Sequence, residues 1–245
     1  MATPTESPLQ IQNLNLDELN EKFETAHPIE ILEWVVSNIP TGLVQASAFN
    51  VDDMVITDIL YRQVKVPNPV PVMFLDTLYH FPQSLELVAK AKETYNLNLQ
   101  VYKTLEANTR EEFVAKFGEA LWETDVRAFH RVTKIEPLNR GLDELNAIAW
   151  ITGRRRDQAV TRTRLEIFEI DPNNRLKINP IATWTRKESW AYVAEHGVIY
   201  NPLHDQGYPS IGDEPLTTPV AEGEDERAGR WRGMGKTECG IHMED

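Results

Sequence analysis

Short apolar runs alternating with longer runs of helical period constrain this chain more than any other feature. Leu43 to Phe49, Val70 to Leu75 (VPVMFL), Leu97 to Tyr102 and Ala147 to Thr152 (AIAWIT) have the length and content of buried strands. Between them, Val51 to Val64 and Pro82 to Tyr95 carry apolar residues at helical spacing, and Thr109 to Leu145 is largely helical. Strands that alternate with helices imply a parallel sheet covered on both faces. The expected fold class is α/β, a single doubly wound, mostly parallel sheet flanked by helices, with a mobile C-terminal tail.

The ends of the chain fit around that sheet. Leu14 to Thr25 and Pro28 to Ile39 read as two helices, the second stopped by Pro40-Thr41-Gly42. Leu165 to Ile170 and Leu176 to Ile181 flank the turn sequence Asp171-Pro172-Asn173-Asn174, which predicts a hairpin. Thr185-Arg186-Lys187-Glu188 is a capping-box pattern opening a helix that ends near Gly197. Beyond Asn201 periodicity fades into Gly, Pro and charge. The expected organisation is an α/β domain over residues 1–200, with 1–12 a disordered leader, and a C-terminal loop and tail over 201–245.

At 245 residues the chain can bury one full core and carry an appendage. It contains no apolar run long enough to span a membrane, and Met1 to Leu9 has neither the charge nor the apolar stretch of a signal peptide. A cytoplasmic protein without membrane partners is expected. The net charge of −13 argues against nucleic-acid binding, so an anionic ligand must meet a local basic patch. The single cysteine excludes an internal disulfide and every multi-cysteine metal or iron–sulfur cage.

That cysteine, Cys239, sits in Lys236-Thr237-Glu238-Cys239-Gly240-Ile241-His242, with Arg230 and Arg232 a few residues before it. Nearby positive charge favours a thiolate, and the polar surroundings offer no apolar face to bury the sulfur. Cys239 is thus a candidate nucleophile, with Lys236 and His242 beside it. A second cluster, Gly153-Arg154-Arg155-Arg156-Asp157-Gln158 with Arg162 and Arg164, opens at the end of a predicted strand, where open α/β sheets bind ligands. Arginine suits phosphate and sulfate because its planar fork donates two parallel hydrogen bonds.

Two earlier strand ends complete the set. The turn from Ser47 to Asp53 places amides and hydroxyls at a helix N-terminus, where they can cradle an anion, and Asp76 can accept from a ribose hydroxyl or an adenine amine. His130, His196 and His204 lack metal-ligand spacing, Glu222 to Glu226 reads as a solvated acidic run, and the tryptophans read as core.

These segments, with Lys134 to Leu145 (KIEPLNRGLDEL), Phe81-Pro82 and Ser210-Ile211-Gly212-Asp213, together resemble the phosphoadenylyl sulfate reductase family, within the adenine-nucleotide α-hydrolase-like group. The resemblance runs from Gly42 to His242. It implies reduction of 3′-phosphoadenylyl sulfate to sulfite and adenosine 3′,5′-bisphosphate, with Cys239 forming an S-sulfocysteine that reduced thioredoxin, or glutaredoxin, resolves. It further implies substrate-binding roles for Ser47, Phe49, Asp76, Thr77, Gly153, Arg154, Arg155, Arg156, Gln158, Arg162 and Arg230, no iron–sulfur cofactor, and a homodimer.

One departure is local: Asn50 stands where the family more commonly has Gly, and Asn tolerates positive φ better than most residues. Another selects the subfamily, because a chain with one cysteine lacks the cysteine pairs of cluster-containing adenylyl sulfate reductases. Three alternatives are set against this expectation: a cluster-free adenylyl sulfate reductase, an adenylating ligase or pyrophosphatase on the same fold, and a nucleotide sensor without turnover. The second would need the Ser-Gly-Gly-x-Asp-Ser loop of such ATP users, which the sequence lacks, and the third has no use for a reactive thiol.

Overall fold

Successive side chains of a strand point to opposite faces, and three strands in the middle of this chain use both faces for burial. The computed structural model describes residues 11–65, 69–235, 238, 240 and 241. In β1 (Leu43–Ala46), Leu43 faces one apolar layer and Val44 the other. Val72 and Phe74 oppose Met73 in β2 (Val72–Asp76), and Ala149 and Ile151 oppose Trp150 in β4 (Ala149–Ile151). With β3 (Leu99–Lys103), β5 (Phe168–Ile170) and β6 (Leu176–Ile178) these form one six-stranded sheet in the order β3-β2-β1-β4-β6-β5. All pairings are parallel except the β5–β6 hairpin, as the sequence implied.

The larger layer holds α1 (Leu16–Phe23), α2 (Pro28–Asn38), α3 (Val51–Asp58), α4 (Pro82–Tyr95) and α9 (Arg186–His196). Residues Ile59–Gln63 prolong α3 as a π-helical turn. Asp58, wholly buried at this junction, accepts from Tyr95 Oη at 3.0 Å and Tyr192 Oη at 2.9 Å and pairs with Arg62 at 3.0 Å. One carboxylate therefore ties α3, α4 and α9 together, its lone pairs satisfied without water. The capping box at Thr185 is present, and Gly197 ends α9 in the left-handed conformation at φ +61°.

The region from Thr109 to Leu145 is broken into α5 (Arg110–Phe117), α6 (Leu121–Thr124), α7 (Val126–His130), a π turn Arg131–Ile135 and α8 (Glu136–Glu144). Leu138 and Leu142 of α8 cover the second face of the sheet. A third cluster joins Phe113 of α5 and Phe129 of α7 to Tyr79, Leu216 and Trp231. Residues 201–235 have little regular structure, as their composition predicts, but they are anchored: Ile211, Leu216 and Trp231 are buried, and Thr217 bridges to Arg230. Of the leader expected over 1–12, residues 1–10 lie outside the described residues, and Ile11 opens a short 3-10 turn.

Close packing under α8 leaves one position without room for a side chain. A Cβ on Gly141 would lie 2.7 Å from Met73 Sδ and 2.9 Å from Tyr102 Cδ2. Gly141→Ala should therefore destabilise the fold by about 1–3 kcal/mol despite alanine's better helix propensity, read as a lowered urea midpoint at unchanged slope.

Candidate active site

The strand order changes direction between β1 and β4, since the chain runs from β1 to β2 and β3 on one side and continues through β4 to β6 and β5 on the other. Ligands of open α/β sheets settle outside the carboxyl ends of the strands at such a point. A pocket opens there, lined by the loops after β1, β2 and β4, the first turns of α3 and α9, and residues of 204–231.

The loop after β1 turns on Phe49, whose φ of +57° lies in the left-handed region and whose ring is buried edge-on against Phe74. Positive φ therefore falls one residue earlier than Asn50, which is extended at φ −69° and uses its side-chain oxygen to accept from Ile211 N at 3.3 Å. Ser47 Oγ accepts from Phe49 N at 3.1 Å, and Asp53 Oδ2 accepts from Ala48 N at 2.9 Å. Asp53 is buried, and loss of water raises its pKa to about 7, opposed by amide hydrogen bonds and further helped by the neighbouring Asp52 carboxylate. A Cβ on Gly153 would run into the Asp53 carboxylate and lie 2.9 Å from its backbone nitrogen, so glycine is what lets the loops after β1 and β4 approach.

Arg155, only 1% exposed, is the centre of the site. Its Nε donates to Asp52 Oδ1 at 2.8 Å, its Nη1 pairs with Asp157, and its Nη2 meets Glu226 at 3.1 Å. Asp52 also accepts from Ser189 Oγ and from Gln158 Nε2, each at 2.7 Å. Arg154 pairs with Glu169 and donates to Asn179 Oδ1 at 3.2 Å; its burial pulls its pKa down. Arg162 reaches Glu238 at 2.7 Å, and Arg230 lies over the Trp231 ring at 4.5 Å while donating to Ile211 O at 3.1 Å.

The ammonium of Lys134, at the π turn before α8, pairs with the buried Asp213 carboxylate. Burial alone would raise the Asp213 pKa, but Lys134 and His80 hold it far below the usual carboxylate range. The pocket lining thus counts seven lysine and arginine side chains against four carboxylates, one of them Asp53. Local charge is positive inside an acidic protein, as an anionic ligand requires.

Of the residues singled out from sequence, Ser47, Thr77, Gly153, Arg154, Arg155, Gln158, Arg162 and Arg230 line this pocket together. Phe49 shapes the loop from behind, and Asp76, outside the lining, accepts from Leu78 N at 2.9 Å. Arg156 points elsewhere, donating to Leu165 O at 2.8 Å and pairing with Glu24. Lys236, Cys239 and His242 lie outside the described residues, whereas Glu238 and Gly240, the chain neighbours of Cys239, lie within them. Glu226, expected in a solvated run, is instead turned into the pocket against Arg155, and burial raises its pKa. Asp52, Ser189 and Arg227 also belong to the site without having been singled out, because an acid at a helix start or a serine within a helix reads as an ordinary cap or filler.

A buried, net-cationic pocket at the switch point of a parallel sheet defines an α/β enzyme site for a phosphorylated or sulfated ligand. Residues 42–219 match the phosphoadenosine phosphosulfate reductase domain family. The phosphoadenosine phosphosulfate reductase of Emericella nidulans is 45% identical over 93% of this chain and 75% of its own. The adenosine 5′-phosphosulfate reductase of Halalkalibacterium halodurans is 39% identical over 94% of this chain and 97% of its own. The crystal structure of phosphoadenylyl-sulfate (PAPS) reductase from Candida auris, a phosphate complex, superposes with a TM-score of 0.77 at 35% identity, covering 87% of this chain and 100% of that one. The chain belongs to the PAPS reductase family, and it is an oxidoreductase of sulfate reduction. Among the described residues no group of three or more His, Cys, Asp or Glu is arranged to hold a metal, and no helix is long and apolar enough to cross a membrane.

The raised pKa of Asp53 has a measurable consequence. Between about pH 4 and pH 7 the folded protein holds a proton on Asp53 that the unfolded chain has released, so stability falls as pH rises through that window. Relative to Asp53→Asn, the wild type should lose on the order of 1 kcal/mol per pH unit across it. Urea denaturation of both proteins at several pH values checks this.

Proposed function

We propose that this protein reduces 3′-phosphoadenylyl sulfate to sulfite, with Cys239 as the sulfur acceptor and reduced thioredoxin as the electron donor. The observation that carries the reading is the pocket itself: Arg154, Arg155, Arg230 and Lys134 converge where the sheet changes direction, and Glu238 and Ile241 bring the C-terminal segment to the same place. A nucleotide carrying a phosphosulfate and a 3′-phosphate presents the charge such a pocket attracts, and the Candida auris relative was crystallised with phosphate.

In the first step the Cys239 thiolate attacks the sulfur of the sulfo group, forming an S–S bond as the S–O bond to the phosphate breaks. Adenosine 3′,5′-bisphosphate leaves with that electron pair, and Cys239 carries the sulfonate. Cationic side chains around the phosphosulfate stabilise the charge that builds on the leaving phosphate. Lys236 and His242 favour the thiolate by their charge. A thiolate of thioredoxin then attacks the Cys239 sulfur, releasing sulfite, and its second thiol resolves the mixed disulfide, returning Cys239 and oxidised thioredoxin. The cysteine is oxidised and reduced within one cycle, which calls for no bound redox group.

Ser47, Thr77, Gly153 and Gln158 shape the nucleotide-binding part of the pocket in this reading, and residues 201–245 act as the segment that closes it. A thiol that must be free in every cycle suits the reducing cytoplasm. A homodimer is part of the proposal by resemblance.

Cys239→Ser should abolish sulfite release with reduced thioredoxin while nucleotide still binds, and mass spectrometry of the wild type incubated with substrate alone should find one added SO₃ on Cys239. Turnover by the serine variant would defeat the mechanism. Adenylyl sulfate reductases at close identity make the 3′-phosphate the feature to test. The ratio of kcat/KM with and without that phosphate should exceed about ten-fold, a difference of about 1.4 kcal/mol. Alanine at Arg154 or Arg155 should lower kcat/KM at least about ten-fold. Arg156→Ala, removing a side chain paired with Glu24, should alter it by less than about two-fold.

A further inference from the structure

We propose that Glu238 is a positioning residue: its carboxylate latches the segment that carries Cys239 onto Arg162, so that Arg162 holds the protein's own tail instead of the nucleotide. Resting on the reading of Cys239 as sulfur acceptor, this goes further by assigning what brings that residue to the pocket.

The contact is a built one. Glu238 is buried, and the Arg162 fork takes both of its oxygens, Nε to Oε1 at 2.8 Å and Nη2 to Oε2 at 2.7 Å. Thr161 Oγ1 donates to Oε1 at 3.1 Å, and Arg227 Nη2 reaches Oε2 at 3.4 Å. Side-on pairing of this kind fixes direction as well as distance, which a lysine or a single hydrogen bond would not. Arg162 is itself held, because its Nη1 donates to Gln158 Oε1, and Gln158 Nε2 donates to Asp52 Oδ2 at 2.7 Å. The tail is thereby connected through two side chains to the Asp52 carboxylate that also holds Arg155. Burial works against the charged carboxylate, yet the arginines outweigh it and hold Glu238 below the usual glutamate range.

A second anchor lies just beyond the cysteine. Ile241 packs on the apolar cluster of Val44, Met73, Leu138 and Trp150, and lines the pocket. Cys239 therefore has an ion pair one residue before it and an apolar contact two residues after it, with consecutive α-carbons only about 3.8 Å apart. An acid next to a nucleophilic sulfur would ordinarily repel a sulfonate; neutralising it against two arginines removes that repulsion.

The test separates transfer from binding. In single-turnover reactions with 3′-phosphoadenylyl sulfate and no thioredoxin, SO₃ gain on Cys239 is timed by mass spectrometry, and the Kd of the same nucleotide is measured in a Cys239→Ser background. Glu238→Gln should slow transfer at least about ten-fold, the scale of a small misplacement of a reacting group, while Kd changes less than about three-fold. The exchanged pair Glu238→Arg with Arg162→Glu should transfer faster than either single variant, which tests the pairing even if one single variant proves unstable. Transfer by Glu238→Gln at the wild-type rate, affinity falling in step with rate, or an exchanged pair no faster than the singles would overturn the latch. A wild type that never gains SO₃ would instead sink the assignment of Cys239, a separate result.

Discussion

The ion pair between Asp52 and Arg155 is the constraint on which the rest of the site depends. Asp52 belongs to the first turn of α3 and Arg155 to the loop after β4, so the pair spans the two strands between which the sheet changes direction. Ser189 of α9 and Gln158 complete the carboxylate's hydrogen bonds, and Glu226 brings in the C-terminal segment through the guanidinium. Such a buried pair gives little net stability, because both charges lose their water, but losing one partner leaves the other charge stranded at a cost of about 3–5 kcal/mol. Its value is geometric: four pieces of chain distant in sequence are made to meet at one ion pair.

Most cations of the pocket are held by carboxylates from elsewhere in the chain. Arg154 has Glu169, Arg155 has Asp52 and Glu226, Arg162 has Glu238, and Lys134 has Asp213. This is how an acidic protein can keep a concentrated positive surface folded without ligand. It also divides the arginines by task. Arg154, held by Glu169 of the sheet, is a fixed post, whereas Arg162, paired with Glu238, holds the C-terminal segment.

Much of this was legible in the sequence, and the failures have physical causes. Strand alternation and helix periods foretold the sheet because β1, β2 and β4 bury both faces, and the turn at Asp171 and the capping box at Thr185 rest on local chemistry that tertiary contacts did not override. Boundaries moved where backbone geometry intervened: the strand expected to Phe49 stops at Ala46 because a left-handed residue must turn the chain. The arginine cluster was visible as a cluster, but its side chains diverge, Arg155 inward and Arg156 outward to Glu24, since the chain passes from the extended Arg155 into a 3-10 turn at Arg156. Glu226 and Asp52 were hidden for the opposite reason. Acidic residues in a charged run or at a helix start have a common explanation, and only their long-range partners give them another.

The third apolar cluster has a consequence for how the protein comes into being. Tyr79, Phe113 and Phe129 wait in the earlier part of the chain for Leu216 and Trp231, and Arg227 and Arg230 arrive on the same stretch. Every strand of the sheet has left the ribosome before that stretch does, so the scaffold precedes the pocket in order of synthesis. The six strands are thus made before the stretch that completes the third cluster and supplies one wall of the pocket.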